Sequence, residues 1–116
     1  NDIELDKIKL DFKNAMKLTK SIFNREAFRK VSVNYDRLPP INKALFDAIS
    51  TQFALLNETE SAKLLANGKL FKELLSKELT TNNDFFMSVT SATGDKGRAT
   101  LRHNKVRDLI LNAITD

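Results

Sequence analysis

Residues 41–56, Ile-Asn-Lys-Ala-Leu-Phe-Asp-Ala-Ile-Ser-Thr-Gln-Phe-Ala-Leu-Leu, decide the fold class. Ile41, Ala44, Leu45, Phe46, Ala48, Ile49, Phe53, Ala54, Leu55 and Leu56 leave only a narrow polar strip through Lys43, Asp47, Ser50 and Thr51. A helix apolar over so much of its circumference belongs in the middle of a bundle. Fully burying one of its Leu or Phe side chains contributes about 1.5–3 kcal/mol, so this element is able to anchor the fold.

Upstream, Asp2 to Phe23 places Leu5, Ile8, Phe12, Ala15 and Ile22 at spacings of three, four and their multiples, with Lys7, Lys13, Lys17 and Lys20 elsewhere. That periodicity predicts an amphipathic helix, and Asn24 is a suitable stop because Asn tolerates the left-handed C-terminal cap. Val31 to Pro40 ends in Leu38-Pro39-Pro40, which removes two backbone donors and reads as a connection. Downstream, Glu58 to Leu79 repeats Leu64, Leu65, Leu70, Phe71, Leu74, Leu75 and Leu79, and the break at Asn67-Gly68 predicts two short helices. Asn83 is expected to cap a brief helix carrying Phe85, Phe86 and Val89. The loop Thr93 to Gly97 follows, then a last helix from about Asn104 through Val106, Leu109, Ile110, Ala113 and Ile114, with a short extended segment allowed at Arg98 to His103. The expected fold is all-α, a compact bundle of five or six helices with one central apolar helix.

At 116 residues the chain suits one domain with one core. Eight of the nine aromatic residues are Phe and none is Trp, which suits core filling better than ligand capture. The absence of Cys excludes a disulfide framework and any thiolate metal site, and a single His leaves almost no ligands for zinc, so no metal and no cofactor is expected. No apolar run approaches the ~20 residues needed to cross a bilayer, and Asn1 to Leu10 is not a signal peptide, which reads as a cytoplasmic protein with no membrane partner. A start at Asn1 instead of Met suggests excision from a longer polypeptide, with processing as the alternative. The net charge of +4 is spread evenly, ten basic and eight acidic residues up to Glu58 and nine and seven after it, so there is no basic tail.

The most suggestive cluster lies between Lys96 and Arg107, where Lys96, Arg98, Arg102, Lys105 and Arg107 occur without one acidic residue. Arg98 and Arg102, four apart, share a face whether the backbone is helical or extended. With the Thr93-Gly94-Asp95-Lys96-Gly97 loop in front, Lys96, Arg98, Arg102 and Lys105 are candidates for holding a phosphate or nucleic acid. The loop lacks P-loop spacing, and a solvated face with intramolecular ion pairs is the alternative. His103, the only imidazole, would be the natural general base of an enzyme, yet it falls at the edge of the stripe of Val106 and Ile110 and reads as a packed side chain. Arg25, Arg29, Lys30, Arg37 and Lys43 bracket the Pro39-Pro40 connection, and Arg at such corners more often ties a loop to helix C-terminal carbonyls than it binds a ligand. Asp2 and Asp6 form a carboxylate pair with no apolar wall to raise a pKa, and Asn57-Glu58-Thr59 matches a glycosylation acceptor by accident. No catalytic residue is assigned.

Ile22-Phe23-Asn24, Ala27-Phe28-Arg29-Lys30, Arg37, Ile41-Asn42-Lys43-Ala44-Leu45-Phe46, Thr93-Gly94-Asp95-Lys96 and Leu101-Arg102, taken in order, cover nearly the whole chain. In this order and spacing they resemble the helical C-terminal region of the GmrSD-type restriction and phage-defence proteins of bacteria. The resemblance implies an N-terminal ParB/sulfiredoxin-like domain in the same polypeptide, which carries an Asp-Gly-Gln-Gln-Arg motif linked to nucleotide hydrolysis or DNA cleavage. That motif does not occur in these residues. Family members often have Gly where Asn24 stands and an aromatic where His103 stands, which favours packing for His103. The matched positions Arg29, Arg37, Asn42, Lys43, Asp95, Lys96 and Arg102 become candidates for contacts to the ParB-like domain or to DNA. The expected function is a non-catalytic accessory domain that scaffolds the catalytic domain, with Lys96, Arg98, Arg102 and Lys105 as its candidate nucleic-acid contacts, and a protein–protein module lacking any nucleic-acid role is the alternative.

Overall fold

The computed structural model describes residues 2–23 and 43–115. They form six helices and no strand: α1 Asp2–Ile22, α2 Lys43–Ala54, α3 Glu58–Ala66, α4 Gly68–Thr81, α5 Asn83–Thr90 and α6 Lys96–Ile114. The all-α bundle is the architecture the periodicities require. No described helix is long and apolar enough to cross a membrane.

α2 lies among α1, α5 and α6, and buries Leu45, Ala48, Ile49 and Phe53. It shares the interior with α6, which touches α2, α3, α4 and α5. Phe71 of α4 joins the layers, its ring 5.6 Å from that of Phe53 and edge-on at 6.0 Å to Phe23 at the end of α1. Phe85 and Val89 of α5 and Val106 and Ile110 of α6 close the core.

The joints are made by asparagines. Asn57 caps α3 in a reciprocal box: its Oδ1 accepts from Glu60 N at 2.8 Å, and Glu60 Oε1 accepts from Asn57 N at 2.9 Å. The apparent glycosylation acceptor is therefore a helix start. Asn67 ends α3, and its Nδ2 donates to Ala113 O at 3.0 Å, pinning the α3–α4 joint to the end of α6. Gly68 follows because a Cβ there would come within 3.2 Å of Ile22 Cγ1. Close helix approach, not a left-handed turn, thus explains the Asn67-Gly68 break. α5 is capped by Asn82, whose Oδ1 accepts from Phe85 N at 3.1 Å, one residue before the expected Asn83.

Two expectations are corrected. Arg98 to His103 is neither extended nor a loop, because α6 starts at Lys96, well before Asn104. Arg98 and Arg102 stand two turns and one turn before Val106 on the same face, so arginine stems continue a stripe that an apolar count ends at Val106. In α1, the stripe of Leu5, Ile8, Phe12, Ala15 and Ile22 is only half used. Ala15, Leu18, Thr19 and Ile22 are buried, whereas Leu5, Ile8 and Phe12 are 49%, 64% and 61% exposed.

Candidate functional site

Arg98 and Arg102 of α6 are turned inward onto the end of α5, whereas Arg107 is exposed. Helix termini leave their last carbonyls without partners, and a cation at that end also complements the helix dipole. Arg98 Nη1 donates to Met87 O at 3.1 Å and to Ser91 O at 2.9 Å. Arg102 is 6% exposed, with Nη1 donating to Ser88 O at 2.6 Å and Nη2 to Thr93 O at 3.2 Å. Its Nε is buried with no partner among the described residues. The clamp holds a strained turn: Ala92 has φ 46°, a left-handed conformation that favours Gly, while no glycine of the described chain has positive φ.

The rest of the basic cluster scatters. Asp95 caps α6, its Oδ2 accepting from Arg98 N at 3.1 Å, so a carboxylate occupies the helix N-terminus that was a candidate phosphate site. Lys105 Nζ lies 3.9 Å from Glu78 Oε2, tying α6 to α4. Lys96 is exposed at the first turn of α6, and Lys43 is exposed at the start of α2. Arg29, Arg37 and Asn42 lie outside the described residues. The structure thus brings Arg98, Arg102 and Asp95 together as the lock of the α5–α6 turn, and leaves Lys96, Lys105 and Lys43 apart from one another.

His103 is half-buried between α6 and α2, with Gln52 Nε2 3.3 Å from its Nδ1. With the Gln52 amide as donor, the ring proton sits on Nε2. Burial lowers its pKa below the ordinary value, the Arg102 charge lowers it further, and Asp47 offsets part of this. Among the described residues no group of three or more His, Asp or Glu is placed to hold a metal ion.

What composition did not single out is an apolar surface on the outer half of α1. Residues 2–14 of α1 include no buried residue, and Ile3, Leu5, Ile8, Leu10 and Phe12 are all exposed. Beside them an open groove of about 580 Å³ runs between Leu10, Asn14 and Leu18 of α1 and the α2–α3 corner at Leu55 and Leu56. Leu55 is 73% exposed and also borders a second groove of about 260 Å³ against Arg107 and Leu111 of α6. The only signal for this surface in the sequence was an excess of apolar residues around α1 and α2, which periodicity assigns equally well to a core.

Comparison with models of known protein families, with curated proteins and with solved structures finds no match for this chain.

Proposed function

We propose that this chain is a non-catalytic helical accessory domain that docks onto and scaffolds a second domain, the ParB-like domain of a GmrSD-type restriction or phage-defence protein. The observation that carries the docking role is the outer half of α1, which is helical among the described residues while Leu5, Ile8 and Phe12 stay 49%, 64% and 61% exposed. Contiguous apolar surface of that extent on a folded domain marks an interaction site. The identity of the partner is supported by the resemblance of the chain to the family.

A protein partner is favoured over DNA by the fate of the arginines. Arg102 is buried against carbonyls and the half-buried Arg98 spends its Nη1 there, so a DNA contact through this cluster would fall mainly to the exposed Lys96 and Arg107 and to a Lys105 already shared with Glu78. The test is association with a ParB-like domain supplied as a separate polypeptide, followed by titration calorimetry. Ile8→Asp combined with Phe12→Asp is expected to weaken association by about thirtyfold or more and to leave the melting temperature of the accessory domain unchanged. Association that survives the double substitution, or its absence in the unaltered chain, refutes the proposal. For DNA, a log K against log salt slope that is steep and flattens in Lys96→Ala would instead assign the patch to phosphate.

A further inference from the structure

The exposed stripe of α1 is one half of a continuous seam. Leu5, Ile8, Phe12, Ala15, Thr19 and Ile22 alternate spacings of three and four, the repeat with which one helix packs along another. The inner three positions are buried where α1 meets α2, α3 and α4, so helices already fill this seam inside the bundle. Among the described residues the outer three stay 49%, 64% and 61% exposed, and a straight helix three to four turns long fits them.

Charge says which kind of helix. On either side of an alternating three-four seam, the flanking positions fall one residue before its first member and one after its second. One edge of the outer half therefore carries Glu4 and Asp11, and the other carries Lys9 with Lys13 just outside it and Asp2 at the free end. We infer that the outer half of α1 receives an amphipathic helix from a different polypeptide or domain, with a Leu-like apolar stripe, one acidic edge facing Lys9 and Lys13, and one basic edge facing Glu4 and Asp11. This rests on the reading of the chain as a docking domain and adds the chemistry of what docks.

A second copy of the chain does not fit. Two α1 helices side by side in parallel would match Glu4 with Lys9, but Ala15, Thr19 and Ile22 are covered by their own bundle, and the two bundles would collide. Two antiparallel α1 helices avoid the collision but set Glu4 against Asp11 and leave Lys9 facing its own symmetry mate, and like charges across a helix pair destabilise it.

The experiment uses the full 116-residue chain and four helix-stapled synthetic peptides with the same Leu stripe. Their edges are Glu on one side and Lys on the other, Glu on both, Lys on both, or Gln on both. By fluorescence anisotropy at low salt, the mixed-edge peptide is expected to bind about tenfold tighter than either single-charge peptide, a preference that 0.5 M salt erases. Ile8→Asp with Phe12→Asp removes binding of all four. Glu4→Lys with Asp11→Lys makes both protein edges basic and transfers the preference to the all-Glu peptide. Sedimentation of the free chain is expected to show a monomer. Equal binding of the four peptides, no binding of any, or self-association that depends on Ile8 and Phe12 overturns the inference. Mixed-edge binding without association to the ParB-like domain would retire the proposed function alone, and association to that domain with no edge preference would retire this inference alone.

Discussion

Residues 2–14 of α1 carry five large apolar side chains and bury none, whereas residues 96–107 of α6 carry five cations and bury one of them almost completely. By composition the first is a core-facing stripe and the second a surface for anions. Tertiary structure exchanges those roles. An apolar side chain goes inside only if another element is there to cover it, and among the described residues burial in α1 begins at Ala15. An arginine goes inside when carbonyls without partners are within reach, and the end of α5 supplies Ser88 O and Thr93 O. Composition reports what a side chain prefers, and neighbours decide whether the preference is met.

The largest test of this comparison lies within α1 itself. Ile22→Ala, in the buried half, is expected to cost about 2–5 kcal/mol, whereas Ile8→Ala in the exposed half should change stability by less than about 0.5 kcal/mol. Urea unfolding of the two variants measures both, and equal losses would mean that the outer half is packed after all.

Arg102→Met comes next. It keeps most of the stem but leaves Ser88 O and Thr93 O without their donors, at a cost of about 1–3 kcal/mol, and the same measurement reads it. A neutral outcome would return Arg102 to the pool of side chains free for a ligand.

A smaller gain is expected from Ala92→Gly, which relieves the left-handed turn that the clamp holds and should add about 0.4–1 kcal/mol, visible as a higher melting temperature. A loss would show that the turn is not strained.

The smallest effect concerns His103. Its folded pKa is lowered by burial and by Arg102, so folding favours the neutral ring. The stability this contributes is complete above the unfolded value of about 6.5 and is lost as pH falls below it through the folded value. Between pH 7.5 and 5.5 the chain should lose more stability than a His103→Phe variant does, as thermal melts at the two pH values would show. Equal losses would place the proton-linked change elsewhere.

Much of the fold was legible in the residues. The apolar circumference of 41–56, the Leu repeat of 58–79 and the Asn67-Gly68 break each rest on local periodicity, and each corresponds to an observed helix or joint. The start of α6 was not legible, because Arg98 and Arg102 occupy stripe positions where a search for apolar residues finds none. The pairing of those two arginines on one face was legible from their spacing, but their target was not, since Ser88 and Thr93 lie 14 and 9 residues upstream of Arg102 and meet it only through the packing of α5 on α6. The exposed half of the α1 stripe was hidden for the opposite reason: an exposed stripe and a buried stripe have the same sequence signature.

By itself the sequence determined that the chain folds into helices around a Phe- and Leu-rich core, because helical periodicity and side-chain hydrophobicity are properties of residues a few positions apart. Only the tertiary structure decided which half of α1 is covered and where Arg98 and Arg102 of α6 are spent, because each depends on what residues distant in sequence place within a few ångströms.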